Sequence, residues 1–108
     1  MADFYIKQND TSPTFEATLL DADGAAVDYT GALSVNFHMT TEAGATLVDA
    51  AMVETAPLTG VVSYFWNTGD TATAGTHNAE IELTFADGKI QTFPNFGSWK
   101  VQVSEELL

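Results

Sequence analysis

The stretch Gly75-Thr76-His77-Asn78-Ala79-Glu80-Ile81-Glu82-Leu83-Thr84-Phe85-Ala86-Asp87-Gly88-Lys89-Ile90-Gln91-Thr92-Phe93-Pro94 decides how this chain folds. His77, Ala79, Ile81, Leu83 and Phe85 fall on one side of an extended chain. Asn78, Glu80, Glu82, Thr84 and Ala86 fall on the other. That is the period-two pattern of a half-buried strand. Asp87-Gly88 follows, a pair that favours a tight hairpin because both residues tolerate positive φ. With Asp87 and Gly88 as a two-residue loop, Phe85 faces Ile90 and Leu83 faces Thr92, so the inward face continues across the turn. Pro94 cannot donate to a ladder and is expected to close the second strand.

Working outward, the same alternation recurs. Phe4, Tyr5, Ile6 and Lys7 read as an edge strand, broken by Gln8 to Pro13. Phe15, Ala17 and Leu19 alternate with Glu16 and Thr18 before the turn Asp21-Ala22-Asp23-Gly24, where aspartate folds onto its own backbone and glycine takes the left-handed position. Leu33, Val35, Phe37 and Met39 alternate with Ser34, Asn36, His38 and Thr40. Thr46 to Glu54 reads as one strand between turns, although its alanines would also suit a helix. Val61 to Trp66 is β by composition, with large residues on both faces. Trp99, Val101 and Val103 alternate with Ser98, Lys100, Gln102 and Ser104, and Glu105 to Leu108 form a short tail. No stretch keeps a helical period. Seven to nine short strands at this spacing predict an all-β, immunoglobulin-like sandwich forming one domain over residues 1–108, with a small β-barrel as the alternative.

Composition narrows the function classes. Fifteen acidic residues face only Lys7, Lys89 and Lys100, a formal net charge of −12. Three lysines cannot displace counterions along a phosphate backbone, so nucleic acid is not an expected partner. Anionic membrane surfaces are disfavoured for the same reason, and no apolar run has the length of a span. Acidity favours solubility, and could also serve as a docking face for a basic partner. Absence of cysteine excludes disulfides and thiolate chemistry, which fits assembly in a reducing cytoplasm. The opening Met1 to Lys7 lacks the layout of a secretory signal.

No catalytic, cofactor or metal residues are assigned. His38 falls on a polar face and His77 on an inward one, so a shared metal is not expected. Asp21-x-Asp23-Gly24 opens like a calcium loop, but Ala25, Ala26 and Val27 bring no side-chain oxygen. Nothing resembles a nucleophile elbow or a phosphate cradle. The candidate partner contacts are Phe4, Tyr5 and Ile6 on the first strand, Tyr64, Trp66, the loop aromatic Phe96, and Leu107 and Leu108 in the tail, which either frays or docks; Trp66, like Trp99, is of a type more often wedged between the sheets of a sandwich than used in binding.

These residues also carry a resemblance that spans nearly the whole chain in order. Asn9-Asp10-Thr11-Ser12-Pro13 precedes Phe15 to Gly24. Then come Val27-Asp28-Tyr29-Thr30-Gly31-Ala32, Val35-x-Phe37-x-Met39, Gly60-Val61-Val62 with Tyr64 and Trp66, Gly69-Asp70-Thr71, Ala74-Gly75-Thr76, Ala79 to Phe85 with Asp87-Gly88, and Thr92-Phe93-Pro94-Asn95 with Gly97. The chain resembles the immunoglobulin-like N-terminal domain of tailed-phage baseplate upper proteins and small stand-alone phage proteins of that type. His77 stands where that pattern leads one to expect an aromatic, often tyrosine, which leaves a tyrosine-corner hydrogen bond without its usual donor. The sequence stops at Leu108, without the long region that follows this domain in baseplate proteins, and is not expected to carry a receptor-binding trunk by itself.

The resemblance implies a non-catalytic virion structural protein made in the host cytoplasm, present in many copies or as a homo-oligomer. It would dock on other phage structural proteins at the tail tip or baseplate, or else at the capsid surface or neck. The competing class is a carbohydrate- or surface-binding sandwich, whose aromatic platform Trp66 and Tyr64 would furnish.

Overall fold

A computed structural model describes residues 2–107. Among the described residues nine strands build two sheets: β1 (Phe4–Lys7), β2 (Phe15–Thr18), β3 (Ser34–Thr41), β4 (Thr46–Ala51), β5 (Val53–Ala56), β6 (Val61–Tyr64), β7 (Gly75–Thr84), β8 (Ile90–Phe93) and β9 (Trp99–Ser104). The larger sheet runs β1-β9-β7-β3-β4, with β8 also on β7, and the smaller runs β2-β6-β5. This is the order of an immunoglobulin-like sandwich, B-E-D against G-F-C-C′, with β1 parallel to the last strand.

The alternating residues drive this layering. Val35, Phe37 and Met39 of β3, Ala79, Ile81 and Leu83 of β7, and Val101 and Val103 of β9 are buried against Phe15, Leu19, Val62 and Tyr64 from the other layer. Phe37 sits at the centre. Its ring stacks on Tyr64 at 4.6 Å and meets Phe15 at 5.1 Å and Trp66 edge-on at 5.7 Å. Offset or edge-on geometry of this kind adds to the area term of burial.

The hairpin forms where expected but in another register. Ile81 pairs with Phe93, Leu83 with Gln91 and Thr84 with Ile90. The loop is Ala86-Asp87-Gly88, three residues rather than two, closed by Phe85 N–H to Lys89 O at 2.8 Å and Gly88 N–H to Phe85 O at 2.9 Å. Gly88 takes φ +88°, the left-handed residue that ends such loops. Asp87 Oδ1 accepts from Lys89 N–H at 3.0 Å. One residue of slip turns every β8 side chain over, so Phe93 enters the core and Ile90 is 62% exposed.

Two further expectations change. Leu33 lies before β3 and is exposed rather than inward. Thr46 to Glu54 is extended but holds two strands, because the chain changes sheets at buried Met52, whose N–H still bonds Val35 O at 2.8 Å. The Asp21 turn forms as expected: Asp21 Oδ1 accepts from the N–H groups of Asp23 and Ala25, both at 2.9 Å.

A histidine ties the start of β7 back to the connection before it. His77, 2% exposed at the start of β7, bonds Thr73 O through Nε2 at 2.8 Å. A carbonyl only accepts, so Nε2 carries the proton. The link spans the same short distance back along the chain as a tyrosine corner.

The register predicts a contrast between neighbours. Phe93→Ala is expected to cost about 3–5 kcal/mol in a urea unfolding series, while Ile90→Ser changes stability by less than about 1 kcal/mol. A large loss from Ile90→Ser would instead indicate the two-residue loop. His77→Phe keeps the ring and removes the donor, at an expected cost of about 1–2 kcal/mol by the same assay.

Candidate interaction surface

The residues proposed as partner contacts divide sharply. Tyr64 and Trp66 are core residues. Val62, Tyr64 and Trp66 share the inward face, and Phe65 is the aromatic that faces out. Tyr64 is further committed by its hydroxyl, which donates to Asp70 Oδ2 at 2.5 Å, while the same oxygen accepts from Asn67 N–H at 2.8 Å. Trp66 Nε1 donates to Pro13 O at 2.9 Å. The aromatic platform that carbohydrate binding would need is therefore inside the sandwich. Ile6 is buried too, and Phe4 is half-buried with its ring 5.3 Å from Phe15 and 5.9 Å from Trp66.

Tyr5, Phe96 and Leu107 remain at the surface, 58%, 94% and 98% exposed. Leu108 lies outside the described residues. Tyr5 is on β1, which is paired with β9 and forms one edge of the larger sheet. An edge strand of this kind presents backbone groups to a neighbour. Phe96 occupies the connection between β8 and β9, both of which lie along the same side of β7. Its shoulders are fixed: Asn95 accepts from Gln91 Nε2 at 2.9 Å and donates to Leu20 O at 3.1 Å, and Ser98 Oγ bonds Asn78 Oδ1 at 3.2 Å. Leu107 lies beside Lys7, Asp10 and Glu106.

Two features were not read from the sequence. The segment Gln8 to Pro13, taken only as a strand breaker, is a fixed loop. Gln8 Nε2 bonds Ala72 O at 2.7 Å, Asn9 N–H bonds Thr71 O at 3.1 Å, and the buried Thr71 hydroxyl bonds Asp10 O at 2.8 Å. The available signal was Trp66, since a buried indole N–H needs an acceptor somewhere. With β1 the loop bounds a groove of about 240 Å³ that includes Tyr5, Ile6 and Pro13. Ile90 is the second, exposed by the register change.

The outer face of the larger sheet is polar. Asp49, His38 and Glu80 stand in one row across β4, β3 and β7. His38 Nε2 is 3.2 Å from Asp49 Oδ1, which also accepts from Asn36 Nδ2 at 2.9 Å. A shallow hollow of about 340 Å³ beside them is lined by His38, Thr40, Asn78, Glu80, Gly97 and Ser98. Lys100 Nζ donates to Asn78 Oδ1. His38 and His77 lie on opposite faces of this sheet, and no group of three or more His, Asp or Glu side chains among the described residues is placed to hold a metal ion.

The comparisons with known proteins bear on fold. No family model and no curated protein matches the sequence. Among solved structures, CopC from Methylosinus trichosporium OB3b superposes with a TM-score of 0.58 at 13% identity, over 100% of this chain and 90% of that one. At that identity the likeness is one of architecture, a β-sandwich.

The buried phenols give a pH dependence. Burial first, then the Asp70 carboxylate it bonds, pushes the Tyr64 phenol well above its ordinary 10.0. Burial and the nearby Glu54 raise that of Tyr29, whose hydroxyl donates to Val61 O at 2.5 Å. A raised phenol keeps its proton in the folded state where the unfolded state has lost it. The contribution is therefore complete below pH 10.0 and is lost as pH rises toward the folded values. Urea midpoints are expected to fall above that pH, and Tyr64→Phe to flatten the fall while costing about 1 kcal/mol at neutral pH. Midpoints that fall equally in both proteins would remove Tyr64 as the cause.

Proposed function

We propose that this chain is a virion structural protein of a tailed phage, a non-catalytic docking module of the tail tip or baseplate. The capsid surface or neck is the second position. The observation that carries the docking role is Phe96, a large aromatic 94% exposed on a connection fixed at both shoulders. An apolar side chain held out in this way loses little conformational freedom when a partner covers it, which is how preorganised contacts gain affinity. The assignment to a phage rests on the ordered sequence resemblance running from Asn9 to Gly97.

In this reading the module works by surface complementarity alone. Phe96 and the β1 edge meet neighbouring structural proteins, and the acidic surface repels wrong partners of like charge. Several copies per particle follow from the symmetry of phage assemblies. Synthesis takes place in the host cytoplasm and the chain leaves within the virion.

The test is quantitative mass spectrometry of density-purified particles from the phage or prophage that encodes the chain. The expected result is co-banding at a fixed ratio to the tail proteins. Recovery only in the soluble lysate would reject the assignment. Phe96→Asp is expected to fold normally by circular dichroism and to be depleted from those particles.

A further inference from the structure

We infer that the partner of Phe96 is a second copy of this chain, with the ring entering the groove between β1 and the Gln8–Pro13 loop. This deepens the docking role proposed above and rests on it. The two surfaces match in size. The groove measures about 240 Å³, and apolar cavities of about 150 Å³ hold a benzene ring. They match in chemistry as well, since Tyr5 and Pro13 offer apolar contact to the ring, with the buried Ile6 forming the floor between them.

Charge singles out these two places. Copies of a chain with net charge −12 repel one another over most of their surface. The nine residues from Gln91 to Trp99 carry no charge. The groove includes one cation and one anion, Lys7 and Asp10, so its own balance is zero. A basic partner chosen by charge would be drawn to the acidic remainder of the surface instead. These two surfaces favour a partner chosen by shape that is itself acidic.

Both halves are preformed. The groove wall is tied down by Trp66 Nε1 to Pro13 O, the Thr71 hydroxyl to Asp10 O and Gln8 Nε2 to Ala72 O. The Asn95 and Ser98 side-chain bonds hold the two sides of the Phe96 connection. One molecule cannot fill its own groove. Phe96 precedes β9, whereas the groove lies by Ser104 at its far end, and six residues of strand span roughly 20 Å. Contact between unlike surfaces is head-to-tail, which closes into a ring or continues as a filament.

Sedimentation velocity of the full chain, from dilute to concentrated, tests this. Wild type is expected to assemble, and more tightly as salt rises, because salt screens the repulsion and leaves the apolar contact. Phe96→Ala is expected to weaken assembly by at least about tenfold, and Ser12→Trp, which fills the groove, to do the same. Mixing the two variants is the decisive arm. One supplies a groove and the other a ring, so the mixture forms a dimer and nothing larger. A wild type that is monomeric at every concentration overturns the proposal, as does assembly that survives Phe96→Ala in a variant with wild-type circular dichroism. A monomer that is nonetheless found in purified particles would reject self-contact alone and leave the virion role standing.

Discussion

The stack of Phe37 on Tyr64 is the contact through which the two sheets become one structure. Phe37 comes from the middle of β3 in the larger sheet, and Tyr64 ends β6 in the smaller. Trp66, Phe15 and Phe4 close around the pair. Each ring does a second job at its polar end or through the chain it belongs to. Tyr64 holds Asp70, which orders the start of the β6–β7 connection. Trp66 holds Pro13, which places the first loop. Groups far from the centre are thus positioned by aromatic residues that lie within it. That coupling explains why a sandwich of short strands can hold a fixed loop and a fixed connection at its margins. Buried polar ends must find partners, and here the partners are loop groups.

Much of this was legible, and the reasons differ by element. β3, β7 and β9 alternate cleanly because each has one face on the core and one on solvent, so side-chain polarity reports orientation directly. The Asp21–Gly24 turn is written in residues with local hydrogen-bonding chemistry. The hairpin register was not legible, since Asp-Gly satisfies both a two-residue loop and a three-residue loop ending in left-handed glycine, and apolar residues at Ile90 and Phe93 suited either outcome. The sheet change at Met52 left no mark either, because an extended chain crossing between layers has the composition of an ordinary strand.

The surface was read less well than the core. Tyr64 and Trp66 drew attention as possible contacts because of their size, yet parity placed them with Val62 and left Phe65 outside. Ile6 failed as a contact for the same reason, being in step with the core while Tyr5 is out of step. Phe96 was identifiable because it falls on no strand and so had no inward face to take. The groove was invisible, as it is made by residues brought together by long-range hydrogen bonds from Gln8, Asn9, Trp66 and Thr71. At position 77 a buried ring bearing one N–H donor finds its acceptor in Thr73 O, the kind of bond that a tyrosine makes in a tyrosine corner.

The side-by-side arrangement of β1 and β9 has a mechanical consequence. These strands run in the same direction, with Phe4 beside Val101 and Lys7 beside Ser104. The chain therefore enters at one end of the pair and leaves at the other. A pull between the two ends loads the inter-strand hydrogen bonds lengthwise and together, in shear, instead of peeling them one after another. A module tethered by its two ends would resist tension as a strap does, yielding only when the whole seam slips.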